Sequence, residues 1–108
     1  GDRIFFDAGR SDLTPEARIV LDRQAAWLRE YPSVTVLIAG NTDQRENSVD
    51  LGWARAAAMR DYLASHGVSI GRIGTKSHGA DRPLDPRSTE EAGTVNRNAH
   101  IQIVSGAS

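Results

Sequence analysis

No cysteine occurs in the sequence, which excludes disulfide bonds, thiolate metal sites and a cysteine nucleophile. The apolar runs are far shorter than the roughly 20 residues that a membrane-spanning helix needs. Neither sign of charge dominates, because 13 basic residues stand against 14 acidic ones. We therefore expect no electrostatic field that would attract nucleic acid or an anionic membrane surface, and no membrane-spanning segment.

What is present is an ordinary globular composition, with 39% hydrophobic and 25% charged residues. A chain of 108 residues can bury about two thirds of its unfolded surface, so it needs no disulfide or metal to fold. We expect a single domain over residues 1–108, with any export signal or lipid anchor outside this sequence.

Local signals predict strands and helices in alternation. Thr14-Pro15-Glu16 supplies an N-cap, a favourable first helical residue and an acidic first turn, and Pro32 ends that helix. A second helical stripe of apolar residues starts at Leu51 and ends at His66-Gly67, where the glycine suits a left-handed cap. Apolar or alternating runs predict four strands, at 3–6, 34–39, 73–77 and 99–104.

The remaining segment, 79–95, holds two prolines and many charges, and it predicts a long surface loop with one helical turn near 88–92. The predicted order is β-α-β-α-β-loop-β. Helices that follow strands are typical of crossover connections. The pattern therefore predicts an α+β fold, a two-layer α/β sandwich whose mixed sheet is covered by helices on one face.

A search for catalytic chemistry finds little. The histidines His66, His78 and His100 have neither a serine in a nucleophile context nor the spacing of a zinc site. The scattered glycines lack a phosphate-binding pattern. We expect no catalytic residue, no metal site and no cofactor, and we interpret the histidines as structural or surface residues.

The junction NTDQRENSVDLGWARAA, at 41–57, combines carboxylates, amides and two arginines between two core-forming elements. Two interpretations are open. In the first, a salt bridge between Asp43 and Arg55 pins the loop to the helix. In the second, these two side chains bind the ammonium and the carboxylate of a free amino-acid head, a task that suits the planar fork of arginine.

Several motifs follow one another in order along the chain: Ile4-Phe5-Phe6-Asp7, Gly40-x-Thr42-Asp43, Leu51-Gly52-x-x-Arg55-Ala56, Tyr62-Leu63-x-x-x-Gly67-Val68 and Asn96-Arg97. Each motif is weak alone, but their joint order and spacing are specific. Over residues 4–104 the sequence resembles the OmpA-like C-terminal domain family, most closely its branch of peptidoglycan-associated lipoproteins. The resemblance implies an α+β sandwich that binds peptidoglycan without cleaving it.

The resemblance also implies roles for individual residues. The family's ligand is the diaminopimelate of the peptidoglycan stem peptide. By resemblance, Asp43 binds its ammonium group, Arg55 binds its carboxylate, and Arg97 is a further arginine of the site, beside Asn96. Other ligand-binding candidates shape the pocket or its rim, and these are Thr42, Leu51, Ser48, Phe6 and Asp7.

Departures from the family pattern concern the junction at 41–57 and Asn98. Asn41 replaces a histidine, Ser48 an asparagine and Asn98 a second arginine, and the loop from Asp43 to Leu51 is shorter than usual. These changes bear on ligand binding more than on the fold. The leading expectation is a peptidoglycan anchor on the periplasmic side of the outer membrane of a Gram-negative bacterium. The alternative is an envelope protein-interaction module with Tol-system proteins as partners and a weakened or lost pocket.

Overall fold

The computed structural model describes residues 3–106, and within them the chain forms four strands, three α-helices and a 3₁₀ turn. The elements follow in the order β1 (Arg3–Phe5), α1 (Pro15–Glu30), β2 (Thr35–Asn41), α2 (Val49–Ser65), the 3₁₀ turn (Ile70–Arg72), β3 (Ile73–Gly79), α3 (Glu90–Asn96) and β4 (Asn98–Ser105). Between residues 3 and 106, no helix is long and apolar enough to cross a membrane.

The strands form a mixed sheet in the order β1-β4-β2-β3. The parallel pair β2 and β3 is connected through α2, whereas β4 lies antiparallel to both β1 and β2. Apolar residues of α1 and α2 and alternate residues of β2 form a shared core that includes Leu21, Leu28, Val36, Ile38, Met59 and Leu63. The predicted α+β sandwich with a mixed sheet is confirmed.

The helix ends follow the local signals in the sequence. Thr14 caps α1, because its Oγ1 accepts a hydrogen bond of 3.1 Å from the backbone N–H of Ala17. Ser48 caps α2 by accepting from the N–H of Leu51 at 3.1 Å. After α2, Gly67 has a φ of +94°, the left-handed conformation that favours glycine.

The prediction for 79–95 was wrong in one respect. Instead of a single turn near 88–92, residues 90–96 form the short helix α3, which Thr89 caps through the N–H of Ala92. Ala92, Gly93 and Asn96 are buried. The helix forms because this side of it packs inward, which the polar composition of the segment did not indicate.

Two glycines set the distance between β2 and α2. A Cβ atom on Gly40 would lie 1.8 Å from the carbonyl oxygen of Gly52, so only glycine allows this approach of strand and helix. The first turn of α2 consequently lies directly on the end of β2. Arg55, three residues after Gly52, is thereby placed beside the loop that follows β2.

Candidate functional site

Arg55 is the largest fully buried side chain of the described chain, with a relative exposure of 0%. Its Nε donates to the carbonyl of Arg10 at 2.9 Å, and its terminal nitrogens donate to the carbonyls of Asn41 and Asp7 at 3.0 and 3.2 Å. The same two nitrogens donate to the two carboxylate oxygens of Glu46 at 2.5 and 3.0 Å. All five N–H donors of the guanidinium are thus satisfied within the chain.

The Glu46 carboxylate receives two further hydrogen bonds from the backbone. Its Oε1 accepts from the N–H of Asp43 at 3.1 Å, and its Oε2 accepts from the N–H of Gly9 at 2.7 Å. We call these donors, the guanidinium of Arg55 and the amides of Asp43 and Gly9, the anion cradle. With four acceptor positions filled and 10% side-chain exposure, Glu46 fits the cradle as a carboxylate ligand would.

A salt bridge does pin the loop to α2, but the predicted partner was wrong. Arg55 pairs with Glu46, and the Asp43 carboxylate forms other contacts. The sequence did not predict the pairing of Glu46 with Arg55, because the direction of the Glu46 side chain depends on the path of the loop. The sequence did carry one signal, since Glu46 is a second carboxylate in the same short loop, three residues after Asp43.

The Asp43 carboxylate is buried and ion-paired. Its Oδ2 accepts from a terminal nitrogen of Arg97 at 3.0 Å, and its Oδ1 accepts from the N–H groups of Arg45 and Glu46 at 2.8 and 2.9 Å. Burial alone would raise the pKa of Asp43, but the hydrogen bonds from Glu46, Arg97 and Arg45 together outweigh it and lower the pKa. Asp43 is therefore a carboxylate at neutral pH with three of its roughly four acceptor positions filled.

Arg97 connects this carboxylate to the residue that follows β1 and to α3. Its Nε donates to the carbonyl of Phe6 at 3.0 Å, and its second terminal nitrogen lies 3.4 Å from a carboxylate oxygen of Glu90. Gly93 of α3 packs against the pair, because a Cβ atom there would lie 2.5 Å from Arg97 and 2.6 Å from the Asp43 carboxylate. The predicted residues Asp43, Arg97 and Phe6 are thus brought together.

The two residues of the predicted rim, which directly follow β1, also meet the site. Phe6 and Asp7 contribute their backbone carbonyls to Arg97 and Arg55, respectively. In addition, the guanidinium carbon of Arg55 lies 5.2 Å from the centre of the Phe6 ring, within the range of a cation–π contact.

Other predicted site residues have supporting contacts. Ser48 and Leu51 form the N-cap of α2. Asn96 uses its side-chain amide to hold the loop, donating to the carbonyl of Asp85 at 2.6 Å and accepting from its N–H at 2.9 Å. Thr42 is buried, and its Oγ1 has no hydrogen-bond partner within residues 3–106.

Two of the three replaced family positions, Asn41 and Asn98, pair with each other. The Asn41 amide donates to the Oδ1 of Asn98 at 3.0 Å, and that oxygen also accepts from Arg3 at 2.9 Å. Asn98 donates in turn to the carbonyls of Val95 and Asn96. These residues therefore stabilise the backbone behind the site. In the described part of the chain, acidic residues and histidines form no cluster able to hold a metal ion.

The sequence and the fold of this chain are similar to those of known proteins. The OmpA family profile matches residues 5–97. The peptidoglycan-associated lipoprotein of Brucella melitensis is 41% identical over 110 residues, which cover 99% of this chain and 65% of that protein. This chain thus spans just under two thirds of that relative's length.

Solved structures show the same fold. The peptidoglycan-associated lipoprotein of Burkholderia pseudomallei superposes with a TM-score of 0.91 at 28% identity, covering 96% of this chain and 91% of the other. The C-terminal domain of Helicobacter pylori MotB superposes with a TM-score of 0.85 at 21% identity, covering 95% and 83%, which is a likeness of fold alone. On the sequence match and the high identity over almost its whole length, the chain belongs to the OmpA family.

Proposed function

We propose that this chain binds peptidoglycan non-covalently through the zwitterionic head of diaminopimelate in the stem peptide, and so anchors the outer membrane or an envelope complex to the cell wall. The relatives that are named peptidoglycan-associated lipoproteins support wall binding, and they support a location on the periplasmic side of a Gram-negative outer membrane. The OmpA-like anchors of this family are non-enzymatic, and the chain is not an enzyme.

The observation that carries the proposal is the anion cradle. A guanidinium fork and two backbone amides converge on one carboxylate position beside the end of β2. Such a set of converging donors is the arrangement that recognises a carboxylate of a ligand. In the free protein, Glu46 takes this position, and the proposal is that the carboxylate of diaminopimelate replaces it.

The ammonium group of the same head has a partner close by. Asp43 gives its N–H to the cradle, so its own carboxylate lies within one side-chain length of the bound anion. That carboxylate keeps about one acceptor position free after its three hydrogen bonds. An amino-acid head, whose two charges are separated by one carbon, matches this spacing.

Co-sedimentation with purified peptidoglycan tests the proposal. The described geometry predicts pelleting with diaminopimelate-type walls and none with lysine-type walls, because the lysine side chain of the latter stem carries an amine but no neighbouring carboxylate. Free meso-diaminopimelate should release the protein, whereas pimelate, which has both carboxylates and no amine, should not. Equal pelleting with both wall types, or pelleting that excess meso-diaminopimelate does not reduce, would contradict the proposal.

A substitution completes this experiment. Arg55→Lys keeps the positive charge and removes the two-pronged hydrogen bond, so pelleting should fall. Arg60→Lys, on the same helix but partly exposed and paired with Asp61, is the matched control and should pellet like the unmodified protein. Circular dichroism of each variant separates a loss of binding from a loss of fold.

One observation favours a second function. Since all five donors of Arg55 are satisfied internally, the site is closed in the free protein. A closed site suits an envelope protein-interaction module with Tol-type partners. This alternative predicts no pelleting with either wall type, together with a stable complex with a Tol-system protein in a pull-down experiment.

A further inference from the structure

The face of the sheet opposite α1 and α2 carries a row of basic side chains. In the strand register, Arg3 of β1 pairs with His100 of β4, His100 pairs with Ala39 of β2, and Ala39 pairs with Lys76 of β3. Directly paired residues point to the same face of a sheet. The row therefore has basic residues on β1, β4 and β3, with Ala39 of β2 between them in register, and a depression on this face is lined by Arg3, His100 and Lys76.

This depression is a cavity of about 360 Å³, which we call the basic cavity. Its charged or titratable lining is entirely basic within the described residues 3–106, and it consists of Arg3, Lys76, His78, Arg82 and His100. Lys76 is the single lysine of a chain whose net charge is −1. Like charges on facing positions of a sheet are destabilising, so this segregation of charge has no stabilising role.

The basic groups of the cavity are poorly neutralised. No ion pair with Asp or Glu is formed by Lys76 or Arg82 within residues 3–106. Arg3 contacts two neutral groups, the Asn98 amide oxygen at 2.9 Å and the ring Nδ1 of His100 at 3.1 Å. The cavity thus has several positive charges available to an anion.

A buried acceptor marks the same wall. Asn41 lines the cavity with 3% exposure, and its Oδ1 has no hydrogen-bond partner within residues 3–106. A buried amide oxygen without a donor is destabilising, because it has lost its hydrogen bonds to water without replacement. A ligand hydroxyl group or a bound water at this wall would satisfy it.

The histidine pKa values agree with this arrangement. Burial, followed by repulsion from Lys76 and Arg82, lowers the pKa of His78, while Asp81 has a smaller opposite effect. Burial, followed by repulsion from Arg3, His78 and Lys76, lowers the pKa of His100. Both rings are therefore neutral at pH 7 in the free protein.

We propose that the basic cavity binds a phosphate-type oxyanion. A tetrahedral phosphate accepts hydrogen bonds in several directions, which suits basic groups that surround a cavity and belong to β1, β3, β4 and the loop after β3. A carboxylate instead suits a single guanidinium fork, such as the one that holds Glu46 in the anion cradle. The protonated oxygen of a hydrogen phosphate can also donate to Oδ1 of Asn41.

Binding should be linked to proton uptake. A bound dianion offsets the repulsion that lowers the pKa of His78 and His100, so both values should rise towards or above their usual range. The groups that face these rings are Arg3 from β1, Lys76 from β3, and Asp81 and Arg82 from the following loop. The affinity for the dianion, referred to the concentration of free dianion at each pH, should then increase as the pH falls, by up to about tenfold per pH unit for each proton taken up.

The test is an NMR titration of the protein with inorganic phosphate or pyrophosphate, compared with a titration with chloride at the same ionic strength. The ring signals of His78 and His100 should shift in the NMR spectrum and their pKa values should rise, whereas His66, which ends α2, is an internal reference that should not respond. Equal responses of all three histidines, or no response beyond that to chloride, would overturn the proposal.

A double variant and a control locate the effect. Lys76→Gln with Arg82→Gln should lose the phosphate response, while Arg60→Gln, which removes one cation from α2, should keep it. A response retained by the double variant would count against the proposal. Wall pelleting by the double variant should be unchanged, so this result is independent of the proposed function.

Flotation with vesicles distinguishes two sources of the phosphate group. Flotation with phosphatidic acid in phosphatidylcholine, lost in the double variant, would identify a lipid phosphate. A response to free phosphate without flotation would identify a soluble ligand.

Discussion

Replacing Glu46 by glutamine removes the charge that holds the anion cradle closed. Hydrogen bonds to charged groups are worth about 1.5–3 kcal/mol each, and the Glu46 carboxylate receives four in all, from Arg55, Asp43 and Gly9. In the proposed binding mode, diaminopimelate must first displace this carboxylate, so its apparent affinity is the intrinsic affinity multiplied by the fraction of molecules in which the cradle is open. If opening costs about 1.5–3 kcal/mol net, Glu46→Gln should bind meso-diaminopimelate about 10- to 150-fold more tightly.

The same substitution should reduce the stability of the free domain. Removing one partner of a buried ion pair costs about 3–5 kcal/mol, and we expect the lower end because the glutamine oxygen can still accept one hydrogen bond from Arg55. Tighter binding together with lower stability is the signature of a displaced internal carboxylate. A substitution that only disturbed packing would instead lower both the affinity for meso-diaminopimelate and the stability of the domain.

Isothermal titration calorimetry with free meso-diaminopimelate measures the affinity, and urea unfolding measures the stability. Glu30→Gln, at the exposed end of α1, is the matched control, because it removes the same charge far from the cradle. The reasoning is refuted if the unmodified protein binds and folded Glu46→Gln binds equally well or more weakly. Binding by neither protein would instead count against the proposed function.

Three further predictions follow from the same contacts. Gly93→Ala should weaken wall binding and lower stability by about 1–3 kcal/mol, because its Cβ would lie within 2.6 Å of Arg97 and Asp43; urea unfolding and pelleting check this. Gly40→Ala should cost at least about 3 kcal/mol, since its Cβ would lie 1.8 Å from the Gly52 carbonyl; an unchanged urea midpoint would contradict it. The pKa of Asp43 is lower in the folded protein than in the unfolded chain, so its contribution to stability is present above the unfolded pKa of about 3.9. This contribution is lost as the pH falls through the folded pKa. Asp43→Asn should therefore flatten that part of a plot of the unfolding free energy against pH.

The features that the sequence predicted well are those decided within a few residues. The cap by Thr14 satisfies the N–H three residues later, and Gly67 needs only its own backbone conformation. The strand–helix alternation likewise follows from local patterns of apolar residues. These interactions do not depend on distant parts of the chain, so the pattern of the sequence is sufficient.

The features that the sequence missed depend on contacts between distant segments. The cradle joins Gly9, which precedes α1, to Glu46 and Arg55 on either side of the start of α2. Whether Arg55 was exposed or buried also depended on the close approach of Gly40 and Gly52. Loop direction and interlayer distance are properties of the assembled fold, which explains why the wrong carboxylate was paired with Arg55.

A buried arginine creates a conflict between stability and ligand binding. If Arg55 awaited an external carboxylate, the unliganded domain would hold an uncompensated charge in its interior, at a cost of several kcal/mol. Glu46 removes that cost by supplying a carboxylate from the adjoining loop, in a junction shorter than the family resemblance leads one to expect. In the proposed binding mode the hydrogen bonds of Glu46 must be broken when diaminopimelate binds, so a more stable Glu46 contact should lower the affinity for the wall. In that mode, the length of the loop affects wall binding through the carboxylate that the loop delivers to Arg55.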